Sequence, residues 1–249
     1  VYFPRFFHPD PSVKRQSGFL QPEIGRSNNL GDSVYTPYFF VISDDKDLTI
    51  KPRIFENDKY LLQNEYRQET NKSITTVDFS FLYGHDSSAL DKGDSRSHLF
   101  TNTKIDLSLD DFDSSTLQIQ YQKVSNDNYL QLFDLRSPLL LKDNGVLEST
   151  IAFTLAHEKY DFTSTLARYE TLSGSNNDRY QYVLPSYDFS KNFILNDIKG
   201  SFNLNSYGNN TLSNADVVTS SISNDLNYSS SNNFFDNGVK TNFESSLKN

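Results

Sequence analysis

From Ser33 onward, apolar and polar side chains alternate with a period of two, and the pattern persists to Asn249. In Thr116-Leu117-Gln118-Ile119-Gln120-Tyr121-Gln122, Leu117, Ile119 and Tyr121 fall on one side and three glutamines on the other. A strand sorts residues this way and a helix does not. The stretch 75–83 sets Val77, Phe79, Phe81 and Tyr83 against Thr76, Asp78 and Ser80, and 147–158 sets Leu147, Ile151, Phe153 and Leu155 against Glu148, Thr150, Ala152 and Thr154. Ile198, Phe202 and Leu204, then Val239, Phe243 and Leu247, continue the series. Apolar residues are nowhere sustained at helical spacing. The sequence therefore predicts an all-β chain of about a dozen antiparallel strands, many of roughly nine to twelve residues against the usual five or six.

Composition narrows what such strands can build. Only 36% of the residues are hydrophobic, yet Tyr 15 and Phe 20 are too many rings for a disordered chain. Lys+Arg 23 against Asp+Glu 32 leaves a net charge of −9, so no fold-wide basic surface exists to grip nucleic acid. No run reaches the roughly 18 consecutive apolar residues of a membrane-spanning helix. Cys 0 removes disulfides and thiolate metal sites. Met 0, with an opening Val1-Tyr2-Phe3-Pro4 that starts in mid-strand, leads us to expect a piece of a longer protein.

The breaks at 44–47, 57–59, 71–72 and 159–161 are hairpin-sized, whereas 85–97, 126–145 and 173–178 are longer. Short and long connections roughly alternate, which in a meander places them on opposite rims, as in a transmembrane barrel. Soluble β-sandwiches and solenoids alternate too, and spacing alone leaves both open. Strand length favours the barrel, as does a polar face carrying Gln, Asn, Asp, Glu and Lys together, which suits a water-filled interior.

Motif-borne chemistry is missing: there is no Gly-rich phosphate loop, HExxH or G-x-S-x-G elbow, and the sequence predicts no catalytic residue, metal or cofactor. His8, His85, His98 and His157 are scattered. His85 and His98 flank a loop with Asp86, Asp91 and Asp94, which is better read as solvated than as a metal or acid–base site. Asp110-Asp111-Phe112-Asp113 lacks the glycine and distal Glu of a calcium loop.

Pro4, Pro9, Pro11 and Pro22 make residues 1–32 different in texture, a strand remnant and irregular linker before a β-region spanning 33–249. The run Tyr2-Phe3-Pro4-Arg5-Phe6-Phe7-His8-Pro9-Asp10-Pro11-Ser12-Val13-Lys14-Arg15-Gln16-Ser17-Gly18-Phe19-Leu20-Gln21-Pro22 resembles the segment joining periplasmic β-jellyroll to barrel in the LPS-assembly outer-membrane family LptD, also called OstA or Imp. Pro37-Tyr38-Phe39-Phe40 with Asp47-Leu48-Thr49-Ile50-Lys51-Pro52-Arg53 is similar to that family's first barrel hairpin, and Asn64-Glu65-Tyr66-Arg67 to its third strand. Asp127–Phe133 and Tyr182-Val183-Leu184-Pro185 are fainter echoes.

The resemblance implies the jellyroll's end (1–32) followed by the first part of an outer-membrane barrel (33–249). It also implies a Gram-negative outer-membrane location with the N-terminal part periplasmic. Implied partners are lipopolysaccharide, outer-membrane lipid, an LptE-like plug lipoprotein and a periplasmic LptA-like bridge reached through the missing jellyroll. The terminus Ser246-Leu247-Lys248-Asn249 departs from the family in lacking an aromatic closing residue, so such a piece would leave its end strands as unpaired edges.

Pro37 and Pro52 interrupt neighbouring strands, and a strand proline deletes a ladder hydrogen bond. An edge or bulge explains such prolines structurally. The resemblance implies instead a lateral gate that they weaken. The polar face supplies a second set, Glu65, Arg67, Asp78, Gln118, Gln120 and Gln122, as candidates for glycan or plug contact, for which a solvated wall is the plain alternative. A passive outer-membrane channel or receptor is the competing function, and a soluble adhesin or carbohydrate-binding β-protein a third.

Overall fold

The computed structural model describes residues 15–27, 30–56, 59–83, 96–140, 145–173, 179–194, 199–213, 217–236 and 238–249. Most of the stretch expected to hold the end of a jellyroll, up to residue 14, and the His85–Asp94 loop lie outside them. The order is β1 (Gly18–Phe19), β2 (Glu23–Ser27), β3 (Gly31–Tyr35), β4 (Tyr38–Ser43), β5 (Lys46–Phe55), β6 (Tyr60–Glu69), β7 (Ser73–Tyr83), β8 (Arg96–Asp106) and β9 (Ser114–Val124). A short helix α1 (Tyr129–Leu132) precedes β10 (Val146–His157), β11 (Tyr160–Thr171), β12 (Tyr180–Ile194), β13 (Gly200–Ser213) and β14 (Val217–Ser230). The two-residue strands β15 (Asn233–Phe234) and β16 (Lys240–Thr241) form a separate ribbon, and β17 (Glu244–Lys248) ends the chain.

The fold is all-β: one antiparallel sheet of 15 strands, a partial barrel in which each strand from β4 to β14 pairs with the next. β3 and β4 both pair with β5, so they are two halves of one run. β2 pairs β3 and β1 pairs β4. Gly18–Ser27, inside the stretch expected to be irregular linker, is thus the outermost strand of the same sheet. The hairpin that returns it uses Gly31 at φ 74, a conformation that favours glycine. Among the described residues, this strand and β17 form the two free edges. At the far end, 231–243 holds only the short ribbon where alternation through Val239 and Phe243 predicted a longer strand.

Strands β5 to β11 run to 10–12 residues, within the expected nine to twelve, and β12 to β14 exceed it at 14–15. The two faces separate as the alternation requires. Register aligns Ile119 with Ile151 and Ile151 with Leu166 on the apolar face, and that face leaves Ile151 47% and Phe81 49% exposed. The buried core sits on the other face. There Phe55, Leu61 and Phe100 interrupt the polar pattern, and the connection after β9 folds down on them with Tyr129, Leu130, Phe133 and Leu135. Phe55 meets Phe133 edge-on at 5.8 Å between ring centroids. No helix of the described residues is long and apolar enough to cross a membrane, and a barrel crosses with strands.

The rims are unlike one another. Asp44-Asp45, Thr70-Asn71-Lys72 and Glu158-Lys159 turn the chain on one rim, while 84–95, 125–145 and 172–179 connect strands on the other. The breaks 56–59 and 214–216 are short on the rim of long connections, and 107–113 and 231–243 are longer on the other, so the alternation of lengths holds only in part.

Candidate functional site

The leading edge of the sheet carries the two prolines, and register explains what each removes. Tyr35 stands opposite Arg53 and Tyr38 opposite Ile50. Carried across the gap, the same register sets Thr36 opposite Pro52 and Pro37 opposite Lys51. Within a strand, a residue's N–H and C=O point to the same neighbour. Pro52 accepts from Thr36 N at 3.2 Å and offers nothing back to the Thr36 carbonyl. Pro37 accepts from Leu20 N at 2.9 Å and offers nothing back to Leu20. Each proline thus keeps the acceptor half of a bonded pair and loses the donor half, one on each flank of the β3–β4 run. Gln21 and Pro22 together oppose Thr36, because the β1 and β2 registers differ by one residue. This bulge accommodates a third proline at the same level. The expected adjacency of Pro37 and Pro52 is present, one and two strands in from the free edge.

On the polar face beside this break lies a cavity of ≈ 450 Å³ lined by Gln21, Pro37, Lys51, Arg53, Gln63 and Arg136 among others. Lys51 donates to Glu65 at 2.8 Å, and Arg67 to Asp47 at 2.8 Å. Arg15 pairs with the same aspartate. Glu65, Arg67, Gln118 and Gln120 all lie on this face, Gln118 donating to Asn102 at 3.1 Å. Asp78 and Gln122 share the face but are covered by the chain itself, at 0% and 2% exposure. Gln122 donates to the Leu139 carbonyl at 2.7 Å. Asp78 accepts from Gln63 and bonds His98 Nε2 at 3.1 Å. Neither touches the cavity.

The covered region contains an arrangement that sequence reasoning missed. Asp78, His98, Ser80 and Tyr129 form a chain of hydrogen bonds, with His98 Nδ1 to Ser80 Oγ at 2.6 Å and Ser80 Oγ to Tyr129 Oη at 2.7 Å. The order Asp–His–Ser has the connectivity of a nucleophilic triad, but all three are buried and the serine hydroxyl is engaged on both sides. It works as a clasp that fastens α1 to the sheet. Burial pushes the Tyr129 phenol up to about 12. Arg53 adds a second tie, to the Phe133 carbonyl. The available signal was Tyr129-Leu130-Gln131-Leu132-Phe133, an apolar run in a connection, which has to be covered by something. Among the described residues no group of three His, Asp or Glu side chains is placed to hold a metal ion.

No family model matches the chain. Comparison with curated proteins finds LPS-assembly protein LptD of Pseudoalteromonas translucida, 28% identical over 198 residues, covering 77% of this chain and 24% of that protein. LptD of Pectobacterium atrosepticum is 26% identical over 213 residues, 84% of this chain and 26% of its own length. LptD of Pseudomonas aeruginosa is 33% identical over a shorter 85 residues, 34% of this chain. The chain is similar to LptD proteins over most of its length. It spans about a quarter of the length of the LptD relatives it matches most fully.

Proposed function

We propose that this chain is the leading part of an outer-membrane LptD barrel that inserts lipopolysaccharide into the outer leaflet through a lateral opening at its first strands. The observation that carries the reading is the paired loss of ladder donors at Pro37 and Pro52, one on each side of the β3–β4 run and at one level. An intramolecular hydrogen bond contributes about 1 kcal/mol net, so losing two at one level lowers the cost of parting the edge without unfolding the sheet.

The substrate's chemistry calls for such an opening. Each acyl CH₂ gains about 0.8 kcal/mol in apolar surroundings, whereas sugars and phosphates carry a heavy cost in hydrocarbon. Lipid A leaves sideways into the bilayer, and the glycan travels along the polar face past Lys51, Glu65 and Arg67. No bond is made or broken, and the energy comes from outside the barrel. The jellyroll lies in the periplasm, where an LptA-like bridge delivers substrate to it, and an LptE-like lipoprotein fills interior that the connection after β9 leaves open.

The test is the pair Pro37→Ala and Pro52→Ala in the full-length protein, each restoring a ladder donor. Together they slow the arrival of lipopolysaccharide at the cell surface. Unchanged surface lipopolysaccharide in the double variant would remove the gate role and leave the passive-channel reading in its place.

A further inference from the structure

A second lipid-related feature lies on the apolar face of β9 to β12, well away from the prolines and near the rim of long connections. Ile119, Ile151 and Leu166 align across three strands, and with Leu184 they floor a groove of ≈ 350 Å³. Ile151, Leu166 and Leu184 are 47%, 43% and 47% exposed. One step nearer the rim, Arg168 stands opposite Tyr182, with its guanidinium 5.9 Å from the Tyr121 ring centroid. One step further come Lys123 and Glu170. Lys123 Nζ is 3.3 Å from Glu170, whose other approach is filled by Arg179 at 2.7 Å. Arg179 also holds Asp127 at 2.6 Å.

The charges in this cluster do not balance. Lys123, Arg168 and Arg179 are three cations against the two carboxylates Glu170 and Asp127. Arg168 is the surplus one. It reaches Glu170 only at 3.9 Å, donates weakly to Ser149 at 3.5 Å, and its buried Nε has no hydrogen-bond partner among the described residues. An underpaired guanidinium beside an apolar groove is costly in a hydrocarbon setting unless a ligand engages its exposed part, and the Arg168 side chain is 30% exposed. Arginine's forked donors match phosphate oxygens, and the groove below suits an alkyl chain.

We propose that this groove binds a phosphorylated, acylated lipid of the outer leaflet, its chain lying over Ile151, Leu166 and Leu184 and its phosphate held by Arg168 and Lys123. The proposal rests on the reading above that the apolar face meets the bilayer with its long connections outward. It assigns to the outer wall a lipid site separate from the lateral opening, one that would order the lipid next to the barrel.

The test uses the full-length protein in phosphatidylcholine nanodiscs containing either bisphosphorylated lipid A or the same lipid without phosphates. A photoreactive phenylalanine analogue is installed at Leu184 in the groove or at Phe153, lower on the same face. Leu184 should label the phosphorylated lipid about tenfold more than the dephosphorylated one, as expected for a charge-assisted contact. Lys123→Gln alone, at an exposed side chain, should reduce that preference, and adding Arg168→Gln should abolish it, with heat-modifiable gel migration reporting that the barrel is intact. Equal labelling of both lipids at Leu184, or a preference that survives the double substitution, would overturn the site while Phe153 labelling keeps the bilayer reading. Absence of labelling at both positions would overturn both together.

Discussion

Arg53 Nη1 donates to the main-chain carbonyl of Phe133 at 2.6 Å, tying strand β5 to a connection 80 residues further along. Its Nε donates to Ser33 at 2.9 Å, and its guanidinium stands 4.6 Å from the rings of both Tyr35 and Phe55. One buried side chain thereby links the leading edge, the third strand and the inward-folded connection. Arg53→Gln removes the bond and leaves a buried carbonyl unpaired, a loss of about 1–3 kcal/mol. Arg53→Lys fares little better, since an ammonium cannot reproduce the fork that serves Ser33 and Phe133 together. The check is the urea midpoint of the full-length protein in detergent, read beside protease cleavage within 125–140. Cleavage as slow as in the parent protein would show that the tie is dispensable.

Tyr129 gives a pH dependence of defined sign. Its phenol is held at about 12 by burial, above the ordinary value near 10, and its bond to Ser80 pulls the other way. The folded chain therefore keeps this proton where the unfolded chain has already released it. Below pH 10 both states are protonated and the group contributes its full share. As pH rises from 10 toward 12 that share is lost. Tyr129→Phe should cost about 1 kcal/mol at neutral pH and show a shallower decline of the unfolding midpoint above pH 10. The difference in alkaline absorbance between the two proteins should contain one late-titrating phenol. Parallel declines would mean that Tyr129 is solvated.

What the sequence discloses here follows the range of the forces involved. Period-two sorting is a property of adjacent residues, so the faces carrying Leu117, Ile119 and Tyr121 or Gln118 and Gln120 were legible, as were the missing donors of Pro37 and Pro52. Register is set between strands, so nothing local revealed that the two prolines break bonds to opposite neighbours, or that Gly18–Ser27 joins the sheet across a Pro22 bulge. The inward fold of α1 depends on contacts between positions as distant as Arg53 and Phe133. Once it is in place, Asp78 and Gln122 cease to be wall residues. The polar pattern alone could not separate these two from Gln118 and Gln120.

Arg179 closes the charged cluster by donating to both Asp127 oxygens, at 2.9 and 2.6 Å, and to Glu170 at 3.1 and 2.7 Å. The Glu170 side chain is fully buried, so its charge depends on these donors and on Lys123. Arg179→Gln should destabilise the protein by about 3 kcal/mol, as removal of one partner from a buried pair does. Glu170→Gln with Arg179→Gln should recover part of the loss, because no buried carboxylate is then left underpaired. Thermal unfolding of the single and double variants measures the coupling. Additive losses would show that the two side chains act independently.

Gly208 faces Tyr187 across the β12–β13 ladder, and the tyrosine ring lies over the glycine. A Cβ placed on Gly208 would come 2.1 Å from Tyr187 Cε1, far inside contact distance. The ring can leave only by abandoning its packing against the sheet, so Gly208→Ala should cost about 1–3 kcal/mol through overpacking. Tyr187→Ala alone should also cost stability, by exposing the glycine backbone that the ring shields. The double variant should be more stable than the two separate losses predict, because the methyl then occupies space the ring has vacated. A double-mutant cycle on unfolding midpoints reads this coupling directly. A cycle that closes to zero would mean that the ring does not rest on Gly208 in the folded protein.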